Sequence, residues 1–172
     1  MTPCYNDSMA KSSILGSFEG PGDDRDWIIL EEVQRNARVS FADLGRRTEL
    51  SPPAAAERLR RLEDSGVIRG YHARIAPDRL GLGLTVLIEM RVPRAQYERF
   101  QRAVARLPWI LECHHVSGAA SFVLKCAVPD VTGLELLVGH LSQFGDTSTS
   151  LVMSTVLDRR EFRRDLRPST RG

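Results

Sequence analysis

The sequence predicts an α+β protein in two parts. A winged helix-turn-helix domain occupies residues 24–80, and a ferredoxin-like βαββαβ domain follows over residues 81–157. Three observations carry this. Residues 40–71 combine cap residues, apolar spacing and positive charge in the order of two helices, a turn and a strand. Residues 84–157 run strand, helix, strand, strand, helix, strand. Basic side chains are concentrated rather than spread: residues 35–80 carry ten against six acidic ones and residues 158–172 six against three, while 81–157 balance at six each.

In the first part, acidic Asp24 and Asp26 lead a helix whose Trp27, Ile29, Leu30 and Val33 form an apolar stripe. Ser40 caps a short helix running to about Arg47, and Thr48-Glu49-Leu50 is a turn. Ser51 caps the next helix with Pro52 at its first position, where a missing N–H costs nothing. That helix is expected to end at Gly66. Leu44, Leu50, Ala55, Leu59 and Leu62 pack the two helices across the turn, and Gly45 lets the backbones approach. Val67 to Tyr71 is expected to be the strand of a wing. Such a unit lays the N-terminal end of its second helix in a DNA major groove, with Arg58, Arg60 and Arg61 as the cationic side.

The second part begins where Pro77, Gly81 and Gly83 interrupt regular structure. Leu84, Val86, Ile88, Met90 and Val92 alternate with Thr85, Leu87, Glu89 and Arg91, the period of a strand. Tyr97, Phe100, Val104 and Leu107 mark a helix that Pro108 ends. Residues 110–116 and 122–128 are two strands joined by the small residues 117–121. Asp130 caps a helix with Leu134, Leu137, Val138 and Leu141 on one face, and residues 148–157 complete the sheet. Two helices then cover one sheet face and leave the other open. An apolar open face would favour a second copy covering it, so a homodimer with two DNA-binding heads is expected.

Composition limits the function classes. At 42% hydrophobic and 27% charged over 172 residues, the chain is an ordinary globular one. No apolar run approaches the roughly 18 residues of a membrane span, and no export signal is seen, which points to the cytoplasm. Cys4, Cys113 and Cys126 are too irregular for a disulfide framework and suit a reducing compartment, with the two internal ones read as core residues. Residues 1–23 read as a mobile leader, and 158–172 as a basic tail that is solvated rather than a phosphate-touching arm.

With both parts placed, the sequence resembles the Lrp/AsnC, or feast/famine, family of prokaryotic transcription regulators. The resemblance rests on Ile29-Leu30, Gln34, Ala37 to Ser40, Leu50-Ser51-Pro52, Arg58, Arg61-Leu62-Glu63, Ser65 to Ile68 and Gly70-Tyr71. In the second part it rests on Glu112-Cys113, Val116-Ser117-Gly118 and Thr149 to Met153. It implies sequence-specific binding of double-stranded DNA, and a sensor domain that dimerises and assembles further to tetramers or octamers. It also implies an amino-acid effector bound between subunits. The DNA-facing set carried over is Ser51, Pro53, Ala54, Glu57, Arg58 and Arg61, with Arg38 and Arg69 on phosphate. The effector edge is Gly118, Ala119, Ala120, Ser121, Thr147 and Thr149.

Two departures qualify this. Pro52 to Ala56 carry almost no hydrogen-bonding side chains where the family often has them, so Arg58 and DNA deformability are expected to carry selectivity for a bendable A·T-rich operator. Ser121 stands where the family commonly has an acid in Gly-x-x-Asp; a carboxylate there suits an α-ammonium group, whereas a serine contributes only a hydrogen bond. Two alternatives remain: an effector-independent architectural DNA-binding protein, and, less favoured, a sirohaem-decarboxylase-like enzyme. No catalytic motif, cofactor or metal is called for. Cys113, His114, His115 and Cys126 invite a zinc reading, but His114 would face away from Cys113 and His115 in a strand.

Overall fold

In a computed structural model, which describes residues 20–166, the chain forms two compact units. Residues 75–156 make one, and residues 20–74 together with 157–166 make the other.

The head unit contains α1 (Asp24–Arg35), α2 (Phe41–Thr48) and α3 (Pro52–Asp64). Each begins on a side chain that satisfies an orphan N–H of the first turn: Asp23 accepts from Asp26, Ser40 from Asp43 and Ser51 from Ala54. Ile29, Leu30, Val33, Leu44, Ala55 and Leu62 form its core. Between α2 and α3, Glu49 takes the left-handed conformation, with φ 56°. A Cβ on Gly45 would lie 2.7 Å from the Leu50 carbonyl oxygen, so only glycine fits at this crossing.

The sheet unit contains β1 (Leu84–Arg91), α4 (Tyr97–Val104), β2 (Ile110–His115), β3 (Phe122–Val128), α5 (Val131–Leu141) and β4 (Asp146–Leu151). All strand pairs are antiparallel, in the order β2-β3-β1-β4. Val86, Ile88 and Met90 of β1 and Phe122, Leu124 and Cys126 of β3 point to the helices, where Phe100, Leu137 and Leu141 complete the core.

Five expectations change. Residues 67–71 form no strand, and no other segment among the described residues of the head pairs with them. Gly66 turns the chain with φ 72°, and the Ile68 N–H donates back to the Leu62 carbonyl at 2.9 Å. The last strand starts at Asp146 and stops at Leu151 rather than spanning 148–157, because β1 runs out: Leu151 already pairs with Val86 and only Val152 bonds further, to Thr85. The open face is not apolar. It carries Glu89 and Arg91 on β1, Glu112 and His114 on β2, Lys125 on β3, and Asp146, Ser148 and Ser150 on β4, with Leu87 and Val123 between them. Cys126 is buried but Cys113, on edge strand β2, is exposed. The basic tail is not a solvated end throughout, since residues 158–164 make ion pairs and hydrogen bonds within the head unit. The leader, apart from residues 20–23, lies outside the described residues, as do residues 167–172.

Candidate nucleic-acid interface and effector cleft

Helix α3 divides into two faces. Ala55 and Leu62 are buried against α1 and α2, with Leu59 half-buried. At 100° per residue, Pro53, Glu57, Arg60 and Asp64 fall on the opposite side, all exposed, with Arg61 beside them. Ser51 and Pro53 are exposed at the leading end, so the positive end of the helix dipole reaches solvent. Pro52 and Pro53 carry no N–H and the Ala54 N–H is capped by Ser51, so this end offers an anion partial charge rather than free amides.

The structure does not bring Arg58 to that outward face. Its Nη1 donates to Asp23 Oδ1 at 2.7 Å and to Asp26 Oδ1 at 2.9 Å. Asp26 is buried, and it also accepts from the Gly22 N–H at 2.8 Å. These contacts raise the guanidinium's pKa, the Asp26 hydrogen bond most and Asp23 next. Asp23 is held below the usual carboxylate range, chiefly by the Asp26 N–H it caps and further by Arg58. Pulling Arg58 onto DNA would leave a buried carboxylate without its partner, which is costly. Arg58 therefore ties α3 to α1.

Arg60, on the outward face, pairs among the described residues only with Glu57 at 2.7 Å, both side chains being 64% exposed. An exposed pair of this kind is worth about 0–1 kcal/mol, so phosphate or a guanine edge can displace it cheaply. The site residues carried over from the resemblance omitted Arg60, although its helical angle relative to Ala55 identifies it. Arg61 lies at the margin, 3.7 Å from Asp26. Arg38 and Arg69 are exposed and make no ion pair among the described residues. Ala54 is half-buried at the edge of the outward face.

In the sheet unit, a cleft of about 170 Å³ is lined by Glu89, Arg91, Ala120, Asp146, Thr147 and Ser148. Arg91 stands directly across from Asp146, and Glu89 from Ser148. Gly145 brings the β4 start there: a side chain at that position would collide with the Arg91 carbonyl. Of the residues expected at an effector edge, Ala120 and Thr147 line this cleft, whereas Gly118, Ala119, Ser121 and Thr149 do not. Ser121 is committed elsewhere. Its N–H donates to Met90 O at 2.7 Å, its hydroxyl donates to Val92 O at 3.2 Å and accepts from Val92 N at 3.3 Å. The loop carries no acid, but the cleft has two, Glu89 and Asp146, which lie on the open face and which no sequence motif marked.

Cys113 and His115 share the helix-side face of β2 and His114 takes the other, as strand alternation requires. His115 packs against Tyr97 and Phe122, with ring centroids at 5.3 and 4.9 Å. On the open face, His114 and Lys125 both contact Glu112, holding its carboxyl below the usual range, the His114 hydrogen bond most. No helix among the described residues is long and apolar enough to cross a membrane.

A three-helix head with an outward, capped helix, followed by a four-stranded sheet domain with a polar cleft, defines a two-domain DNA-binding transcription regulator. Comparison with known proteins agrees on both parts. A winged helix-turn-helix DNA-binding model matches residues 22–69, and the Lrp/AsnC ligand binding domain matches residues 85–162. The transcriptional regulator LrpC of Bacillus subtilis is 34% identical over 134 residues, covering 78% of this chain and 93% of that protein. The leucine-responsive regulatory protein of Escherichia coli is 39% identical over 153 residues, covering 83% and 93%. Among solved structures, Bacillus subtilis LrpC superposes with a TM-score of 0.76 at 33% identity, covering 80% of this chain and 99% of that one. A transcriptional regulator of Neisseria meningitidis in complex with L-Met gives 0.77 at 28% identity, covering 82% and 96%. The chain belongs to the Lrp/AsnC family and is a DNA-binding transcriptional regulator with a ligand-binding domain.

Proposed function

We propose that the protein reads duplex DNA through the outward face of α3, as a dimer, and that an amino acid bound at the sheet cleft tunes this binding. The observation that carries the reading is the division of α3: Arg58 is locked to α1, while Ser51, Pro53, Glu57, Arg60 and Arg61 remain presented on the exposed side of the helix. Arg38 and Arg69 add phosphate contacts. Because Pro52 to Ala56 offer methyl and ring surface rather than hydrogen bonds, sequence preference comes from Arg60 and from how easily the duplex bends.

Dimerisation rests on charge rather than on apolar cover. The open face carries both signs in rows, Glu112 with Lys125 and Arg91 with Asp146, and such a face is self-complementary across a two-fold axis. For the effector, Arg91 suits an α-carboxylate, and Asp146 or Glu89 an α-ammonium group. The L-Met complex of the Neisseria meningitidis relative supports an amino acid as the ligand class. The relatives are transcriptional regulators, and we assign no catalysis and place the protein in the cytoplasm with its DNA.

The test is selection of bound duplexes from a random pool by the full-length protein, repeated with a panel of amino acids. The expected product is a two-fold site whose halves lie about one helical turn apart, preferred over bulk DNA by about 10³-fold or more. Recovery of an unenriched pool, unchanged by every amino acid, would favour an architectural role instead.

A further inference from the structure

We infer that the outer side of α1 is a docking site for the chain's own C-terminal segment, and that this clamp fixes the head for binding paired half-sites. Gln34 makes the central contact. Its carboxamide accepts from the Phe162 N–H at 2.8 Å and donates to the Phe162 carbonyl at 2.9 Å, and it donates also to Leu30 O at 3.0 Å. A side-chain amide here satisfies both backbone groups of one residue, as a neighbouring strand would. This contact reads backbone and not side chain, so it cannot by itself set which residue docks.

Register comes from the ion pairs around it. Arg35 Nε lies 3.2 Å from Glu161, Arg164 pairs with Asp24, and Arg74 pairs with Asp158. The pairs are of mixed sense: the tail supplies the acid at Asp158 and Glu161 and the base at Arg164. A slip by one residue would place Arg160 or Phe162 against Arg35. Each pair is exposed and contributes little alone, but together they specify one alignment. Phe162 itself stays 68% exposed, so apolar burial does not drive the contact.

Connectivity gives the clamp its consequence. The tail is the direct continuation of β4, whose first residues Asp146, Thr147 and Ser148 line the cleft. The head is thus attached to the sheet domain's chain at both its ends, through residues 70–83 and through residues 152–157. A doubly tethered head loses less orientational freedom when two heads must engage one duplex, which is preorganisation for the paired site. A single half-site needs no such alignment. Ligand-induced movement at the start of β4 has a route along the chain to the tail, and from the tail to α1 through the Gln34 and Arg35 contacts. This inference rests on the DNA-binding reading for its consequence, but the docking itself does not.

Two measurements on the full-length protein separate these. Hydrogen exchange should show the Phe162 amide protected in the wild type and released at least tenfold in Gln34→Ala, with partial protection in Gln34→Glu, which still accepts but no longer donates. Binding should weaken about tenfold for a duplex with two half-sites and stay within twofold for a single half-site. The same pattern should follow from Asp158→Arg, and the exchange Arg74→Asp with Asp158→Arg should restore it. An unprotected Phe162 amide in the wild type overturns the clamp. Equal loss on single and paired sites, with a shallower salt dependence, overturns it in favour of a phosphate-contacting tail. Protection of Phe162 together with no DNA binding by the wild type upholds the docking and refutes the DNA reading.

Discussion

The sheet domain and the head are held together by different means. Twelve buried residues, from Val86 to Phe144, form the sheet domain's core, and all of them are apolar. The head's core has six, and the three buried polar residues among those described, Asp26, Glu32 and Thr48, are all in the head. Asp26 receives Arg58 and the Gly22 N–H, Glu32 receives Arg35 and Arg47 at 3.3 and 3.0 Å, and the Thr48 hydroxyl donates to Leu44 O at 2.7 Å. Three short helices with little apolar surface can slide against one another, and directional contacts to buried acids remove that freedom. The small domain thus gains a defined recognition helix at the risk of depending on a few charges.

That contrast can be broken first at its apolar end. Phe100→Ala should cost the sheet domain about 3–5 kcal/mol, since Phe100 is fully buried between Phe122 and Phe144. Thermal unfolding followed by Trp109 should register the loss, while Trp27, in the head, should report a much smaller change.

Arg58→Met tests the polar end. It strands the Asp26 carboxylate and should destabilise the head by about 3 kcal/mol, whereas adding Asp26→Leu should recover most of that. Urea unfolding followed by Trp27 measures both; a head indifferent to Arg58→Met would erase the contrast.

Ser51→Ala removes the α3 cap and should cost the head about 1 kcal/mol in the same assay. The smallest effect is pH. Asp23 has its folded pKa lowered below 3.8, so its contribution is complete above the unfolded value and disappears as pH falls through and below about 4. Acid titration should loosen the α1 start in that window, and Asp23→Asn should flatten the dependence.

Most of the frame was legible because local signals agreed with tertiary packing. Ser40, Ser51 and Asp130 cap the helices that their spacing implied, and the limits of β3 and the Gly45 crossing follow from sequence alone. What sequence left hidden depends on partners distant in the chain. The expected wing strand required a neighbour that the described residues of the head do not supply, and β4 ended where β1 could no longer pair. Arg58 and Arg60 are indistinguishable in composition. Only the placement of Asp23 and Asp26, more than 30 residues earlier, shows that one is structural and the other presented. Ser121 resembles a weakened ligand in sequence, whereas in the fold its hydroxyl bridges the Val92 backbone. The cleft acids were invisible as a site because Glu89 and Asp146 meet only through strand pairing.

The claim that α3 meets DNA with the face bearing Arg60 is tested most directly by the salt dependence of affinity for a selected duplex. Arg60→Gln should weaken binding and reduce the slope of log K against log salt by about 1, the loss of one cationic contact. The folded pair Arg58→Met with Asp26→Leu should leave that slope unchanged. A slope reduced by the Arg58 pair and untouched by Arg60→Gln would contradict the account.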